Sequence, residues 1–329
     1  MADAKVHVAA IGNAIVDVLV HCDDSLPERL GFSKGVMTLI GSDLVGGIYE
    51  ALPPAIECSG GSAANTIVGV AQLGLKTAYL GKVKDDQLGR VFQHDIKNSG
   101  VHFPTAPATT GPATAQCFVL VTPDAQRTML TYLGACVDFG PDDIDADVIA
   151  NADITYLEGY LFDPPQAKLA FRSAADIAHK AGRKVALSLS DPFCVGRHRA
   201  EFLDLISGHI DILFANEAEL TALYETDDFS KAIATVRGHA ELAAITRGAR
   251  GSVVVTNDTV ISVAADKVTQ IVDTTGAGDL YAAGFLAGLG LGRDFGACAI
   301  MGGIAAGEII SHLGARPEQN LADLVKSKL

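Results

Sequence analysis

The stretch Ile271-Val272-Asp273-Thr274-Thr275-Gly276-Ala277-Gly278-Asp279-Leu280-Tyr281-Ala282 decides how this chain is read. Its apolar opening pair predicts the end of a strand, its glycines a turn, and the apolar run after Asp279 a helix. Strand, glycine turn and helix start make a phosphate-binding arrangement, because the unpaired N–H groups of a first helical turn and the helix dipole both favour an anion. Gly276 and Gly278 let the backbone approach closely. The acid at this spot is informative. Asp279 repels a bound phosphate unless it faces a neutral hydroxyl, so it fits a group that orients a hydroxyl nucleophile and accepts its proton. A helix cap after a turn is the alternative reading of the same residues.

Working back from this stretch, strands and helices alternate from about Ile154 onward. Ile154 to Leu157, Val185 to Leu189, Ile212 to Phe214 and Ala243 to Thr246 are short apolar runs. Helical stretches of ordinary length separate them, at Gln166 to Ala181, Arg199 to Ser207 and Glu217 to Tyr224. That alternation predicts a mostly parallel sheet covered by helices on both faces, joined by Lys5 to Ile11 and Thr77 to Val83. A Pro, Thr and Gly-rich stretch follows Thr105 and leads into a hairpin of Thr114 to Val121 and Thr128 to Tyr132 around Pro123-Asp124. With Ala14 to Val20 and Gly35 to Ile40, these strands predict a small separate sheet able to cover a cleft. The expected organisation is one domain over residues 1–329, with a β lid built from about 14–41 and 105–134.

Composition sets the outer limits. The 329 residues are 49% hydrophobic and 19% charged, a balance that suits a large packed core and excludes disorder. Lys plus Arg is 25 against 39 for Asp plus Glu, so the formal charge is −14, which opposes nucleic acid and anionic membrane as partners. A polyanionic substrate then needs local basic groups or a metal. Six scattered cysteines offer neither a zinc ribbon nor a CxxC pair and read as reduced thiols. The opening segment has Asp17 within its apolar stretch and lacks the features of a signal peptide, and the runs at Leu280 to Gly292 and Phe295 to Gly307 read as buried helices. The expected compartment is the cytoplasm. His198, between Arg197 and Arg199, reads as solvated surface.

Two more segments bear on a site. Ser59-Gly60-Gly61-Ser62-Ala63-Ala64-Asn65 places paired glycines before an apolar helix, with Asn65 about one turn in. Its amide could bond a ligand hydroxyl; a tight turn with a self-satisfied Asn explains it equally. Asn216-Glu217-Ala218-Glu219 follows a strand, and Asn216 with Glu219 fits a capping box. The alternative is Mg²⁺, which keeps several waters and is held by one or two carboxylates plus substrate phosphates. There is no GxxxxGK[ST] segment, so a P-loop is excluded.

These segments in this order, with Thr246-Arg247-Gly248 before the last, resemble the ribokinase-like (PfkB) family of sugar and nucleoside kinases along essentially the whole chain. The resemblance implies a three-layer α/β/α fold with a small β lid, and an ATP-dependent phosphotransferase acting on a hydroxyl. It implies Asp279 as base and Gly276, Ala277 and Gly278 as anion hole. Asn216, Thr246, Gly248, Gly276 and Gly278 match ATP contacts, and Glu219 the position that organises Mg²⁺ through water. Asn13, Asp17, Gly61 and Asn65 match substrate contacts. Asp273 and Thr275 match a loop that holds a monovalent ion, K⁺.

Within the family, Gly12 to Asp17, Leu187 to Phe193 and Asp211 to Glu217 most resemble the kinases that phosphorylate the 5′-hydroxyl of adenosine. Gln126-Arg127-Thr128 resembles a lid segment whose Arg approaches the transferred phosphate; a surface Arg after a turn is the alternative. Val36, Met37, Leu39, Tyr160 and Phe118 are expected to make an apolar pocket that suits a flat purine. A sugar kinase of fructokinase or ribokinase type, and a non-catalytic nucleotide or sugar sensor, are the competing expectations. The expected partners are ATP and a small-molecule acceptor, and the expected assembly is a monomer or homodimer.

Overall fold

A computed structural model describes residues 6–124 and 126–329. Lys5, where the sequence reading starts the first strand, lies outside them. The strands are β1 (Val6–Ile11), β2 (Ile15–His21), β3 (Met37–Leu39), β4 (Ile56–Gly60), β5 (Thr77–Leu80), β6 (Val101–His102) and β7 (Ala115–Val121). They continue with β8 (Arg127–Tyr132), β9 (Ala152–Glu158), β10 (Lys184–Ser188), β11 (Ile212–Asn216), β12 (Leu242–Thr246), β13 (Ser252–Thr256) and β14 (Val260–Val263).

The larger sheet runs β14-β13-β12-β11-β10-β9-β1-β5-β6. Its strands from β12 to β6 pair in parallel, as expected. β13 and β14 close one edge as an antiparallel hairpin that the sequence reading leaves out.

Alternation along β1 shows why its strands are apolar throughout. Val8 and Ala10 join one core with the helices Ser62–Gln72, Ala277–Gly290 and Phe295–Ile309, while Ala9 and Ile11 join a second core with Pro165–Lys180 and Pro192–His209. Both faces of the sheet are therefore covered, giving three layers.

The smaller sheet runs β3-β8-β7-β2-β4. It contains the expected hairpin and also β4, whose residues fall outside the lid boundaries drawn from sequence. Period-2 alternation gives it two different faces. Val18, Val20, Phe118, Leu120 and Leu130 pack outward with Ile48 of the Ser42–Ala51 helix, and Asp17, Leu19, Cys117, Val119, Met129 and Thr131 face the cleft between the sheets.

Three local expectations need correction. Ile271-Val272 is not a strand; Val272 and Asp273 instead donate N–H bonds to the carbonyl of Ile310 at 2.8 and 3.3 Å. The helix expected at Arg199 begins at Pro192 and kinks at His198, which has φ −123° and ψ 20°. His198 is not solvated surface: it packs against Phe162 and Phe202 and bonds Asp163 at 2.5 Å. The six cysteines are free. Among the described residues no helix is long and apolar enough to cross a membrane.

Candidate active site

The carboxyl ends of β1, β9, β10, β11 and β12 open into a cleft of about 1010 Å³, roofed by the inner face of the small sheet. In open parallel sheets such a crevice is where ligands bind. Its floor is the turn before the Ala277–Gly290 helix. Gly276 caps that helix with φ +75°, a left-handed conformation that glycine adopts without strain. The N–H of Ala277 donates to the Thr274 carbonyl at 3.3 Å within this turn, and Ala277, Gly278 and Asp279 line the cleft. The last of these residues aims its carboxylate back into the cleft, where Ser62 Oγ donates to Oδ1 at 2.6 Å and Asn65 Nδ2 to Oδ2 at 3.0 Å.

Enclosure by protein pushes the Asp279 pKa above the ordinary carboxylate value, against the lowering effect of Ser62, Asn65 and the Arg316 charge. Asn65 keeps its amide oxygen buried and without a hydrogen-bond partner in the protein. That oxygen is an acceptor available to a ligand hydroxyl, so the self-satisfied reading of Asn65 does not hold.

Gly61 initiates the Ser62–Gln72 helix at φ +95°, and a Cβ there would collide with the Asn13 carbonyl. Asp17 lies on β2 facing the cleft. Burial raises its pKa to about 7, opposed by Arg316 and Arg127 and reinforced by Asp279. Asn13 is close by but its amide is already committed, donating to Glu158 Oε1 at 2.7 Å. Glu158, missed in the sequence reading, also accepts from the N–H of Ala63 at 2.8 Å, and burial raises its pKa to about 7. Its signal was an acid closing the apolar run of β9 just before Gly159.

On the other side of the cleft, Asn216 and Thr246 are register partners at the ends of β11 and β12, with Gly248 beyond them. The capping box is real. Asn216 Oδ1 accepts from the N–H of Glu219 at 2.8 Å, and Glu219 Oε2 accepts from the N–H of Asn216 at 2.9 Å. Glu219 nevertheless lines the cleft, and burial, with Asp191 and Asp279 nearby, raises its pKa to about 7. Among the described residues no cluster of three or more His, Cys, Asp or Glu side chains could hold a metal.

Arg127 does not lie on an outer surface. It is 8% exposed, faces the cleft and forms an ion pair with Asp273. Asp273 also accepts from the N–H of Thr275 at 3.0 Å and of Gly314 at 3.1 Å. The carboxylate that the resemblance gives to K⁺ thus meets a guanidinium.

The apolar roof is made differently from the expectation. Met37 and Leu39 do line the cleft, joined by Leu19, Ile56, Val119 and Met129. Phe118 is on the opposite face of β7 and Val36 is not part of the lining, because each is one residue out of step with the cleft-facing set. Tyr160 lines the cleft from the large sheet's side, its hydroxyl donating to the Ser190 carbonyl at 3.2 Å. Ser190 holds a left-handed φ of 72°, strain of the kind that concentrates at functional sites.

Comparison with known proteins agrees with this geometry. The family model described as pfkB family carbohydrate kinase matches residues 57–321. An adenosine kinase from Sinorhizobium meliloti of known structure is 51% identical, covering 99% of this chain and 100% of that one with a TM-score of 0.93. A probable sugar kinase from Rhizobium etli is 46% identical over 98% of each chain, also with a TM-score of 0.93. A 5-dehydro-2-deoxygluconokinase from Geobacillus thermodenitrificans is 29% identical over 265 residues, 77% of this chain and 78% of its own length. The three-layer fold, the glycine turn at the helix start and these likenesses have one common explanation: the chain belongs to the pfkB family of carbohydrate kinases, and is a phosphotransferase that uses ATP to phosphorylate a hydroxyl group of a sugar or nucleoside.

Proposed function

We propose that the acceptor is a nucleoside, adenosine, phosphorylated on its 5′-hydroxyl to AMP. The observation that carries this reading is the roof of the cleft. Leu19, Met37, Leu39, Ile56, Val119 and Met129 present an apolar face opposite Asp17 and Asn65. Polar groups for ribose below and an apolar plate above suit a flat purine. A free sugar would leave outer hydroxyls unpaired against that plate, at about 1–3 kcal/mol for each one buried. The likeness to the Sinorhizobium adenosine kinase supports the same choice.

In this reading Asp17 and the free amide oxygen of Asn65 take the vicinal ribose hydroxyls. The 5′-hydroxyl then faces Asp279, which accepts its proton as the oxygen attacks in line. The Gly278 N–H and the dipole of the helix it opens stabilise charge on the transferred phosphoryl group, while the Ala277 N–H would have to leave the Thr274 carbonyl to join them. Asn216, Thr246 and Gly248 hold the nucleotide.

Charge argues for Mg²⁺. The cations lining the cleft among the described residues are Arg127, Arg197 and Arg316, and Arg127 and Arg197 are paired with Asp273 and Asp163. The site also carries Asp17, Glu158, Glu219 and Asp279, so ATP needs a further positive charge, which Mg²⁺ supplies when bound. Glu219 would hold it through water.

A second reading, phosphorylation of a free sugar, is favoured by the sugar-kinase names of several relatives. Competition at equal concentration among adenosine, inosine, ribose, fructose and 5-dehydro-2-deoxygluconate, read as kcat/KM, decides between them. Adenosine should lead; a sugar preferred by about tenfold or more overturns the nucleoside reading.

A further inference from the structure

One cleft-lining arginine remains without a role. Arg316 sits in the loop after the Phe295–Ile309 helix, far in sequence from everything it touches. Its Nε and Nη2 both donate to the Ser59 carbonyl, at 3.3 and 2.8 Å, and Nη2 also donates to Ser59 Oγ at 2.7 Å. Its Nη1 donates to the Ala64 carbonyl at 2.8 Å. Ser59 is anchored in turn, its N–H donating to Asp95 Oδ2 at 2.8 Å and its hydroxyl donating to the same oxygen.

Each contact falls on a working part. Ser59 immediately precedes Gly60-Gly61, where the lid strand β4 turns into the Ser62–Gln72 helix. Ala64 is in that helix's first turn, between Ser62 and Asn65, the two residues that hold Asp279. The arginine's own loop closes the anion turn, since Ala315 packs where a Cβ on Gly276 would lie and Gly314 donates to Asp273.

All four hydrogen bonds go to uncharged acceptors, so the guanidinium's charge is shared among the nearby Asp95, Asp17 and Asp279. Other charged or titratable groups face these acids. Asp279 is met by Glu158, Tyr156 and Tyr160 from β9 and its following turn, and by Glu219 from the helix after β11. Asp17 is met by Arg127, Cys58 and Cys117 from β8, β4 and β7. Against this mostly acidic set, Arg316 is the cation common to both carboxylates.

We propose that Arg316 is a positioning residue for phosphoryl transfer, coupling Ser59, at the end of β4, to the helix start that holds Asp279 and supplying a standing positive charge beside Asp17 and Asp279. It touches no reacting atom. The inference rests on the phosphotransferase activity and holds whichever acceptor is used.

The test compares Arg316→Met and Arg316→Lys with wild type in thermal melts across pH and in pH–rate profiles with the best acceptor. Without the cation the two acids hold protons to higher pH in the native state, so the melting deficit of Arg316→Met should be larger at about pH 8 than at about pH 5. The acidic limb of its kcat/KM profile should move up by about half a unit or more, and kcat should fall about tenfold or more. Arg316→Lys restores charge but not the forked grip on Ser59 and Ala64, so both pH dependences should return to wild type while kcat stays low.

A deficit equal at both pH values with an unmoved limb overturns the proposal. If Arg316→Met does not fold, Arg316→Lys decides alone: a wild-type pH profile with lowered kcat supports the proposal, and a displaced limb or a wild-type kcat overturns it. Should wild type turn over no acceptor, the kinase account fails, and the pH dependence of the melts still judges Arg316.

Discussion

Asn65 Nδ2 donates to Asp279 Oδ2 at 3.0 Å, so a residue expected to bind substrate and the residue expected to be the base form one hydrogen-bonded unit. Ser62 completes it at 2.6 Å. Both bonds favour the ionised carboxylate against the effect of enclosure. Ser62→Ala should therefore raise the pKa of Asp279 and move the acidic limb of kcat/KM upward by about half a unit to one unit. Asn65→Ala should move the same limb and also raise the acceptor KM, because it removes the free amide oxygen. Unchanged limbs in both variants would contradict the geometry.

Asn216 and Glu219 separate stability from metal dependence. Asn216→Ala loses one partner of the capping box and should cost about 1 kcal/mol in thermal or denaturant melts. Glu219→Gln can keep part of the box but loses the ionised acceptor for metal-bound water, so it should fold and demand more Mg²⁺ for half-maximal rate. Titrating Mg²⁺ against rate beside the melts checks this; a Gln variant with normal Mg²⁺ demand would leave Glu219 as a cap alone.

Arg127 is ion-paired with Asp273, the carboxylate expected to serve a monovalent cation, so a cation bound there would compete with the guanidinium. Phosphoryl transfer under a closed lid would draw the guanidinium toward the transferred group, so Arg127→Ala should lower kcat more than it raises KM. With the competitor gone, its rate should respond to K⁺ more strongly than wild type does. Equal rates in Na⁺ and K⁺ for both proteins would remove K⁺ from the account.

Glu158 is 1% exposed and its pKa is raised to about 7 by burial, against the hydrogen bonds from Asn13 and Ala63. A carboxyl whose native pKa lies above its unfolded value gives stability that is present below the unfolded value and lost as pH rises through the native one. Asp17 and Glu219, also raised to about 7, act in the same direction. Ligand-free protein should therefore lose melting temperature between about pH 5 and pH 8, and Glu158→Gln should flatten that loss. A melting temperature that is level or rising over this interval would contradict it.

The parallel body was legible because each inner strand is buried on both faces and so appears as a short unbroken apolar run between helical lengths. Two segments near the edges of this pattern were not legible in that way. Ser252 to Thr256, left out of the sequence reading, forms an antiparallel edge with Val260 to Val263, and the turn at Asn257-Asp258 is the signal that marks it. Ile271-Val272 has the apolarity of a strand but finds its partner in the Ile310 carbonyl. In the site, Asp279, Asn65 and Glu219 were legible because each follows a strand or glycine turn that fixes where it points. Phe118 and Val36 were assigned to the cleft because composition does not fix which face of a strand a residue takes. Arg316 was invisible: its partners lie 252 and 257 residues away, and no local pattern marks it.

The account turns on Asp279 as the base for a hydroxyl acceptor. The most direct measurement is kcat and acceptor affinity for Asp279→Asn, made with the best acceptor, ATP and Mg²⁺. Asn preserves shape and can still meet Ser62 and Asn65, but it cannot take the proton. The account predicts a kcat lowered by about two to four decades with acceptor binding within a few-fold of wild type. A kcat close to wild type would contradict it.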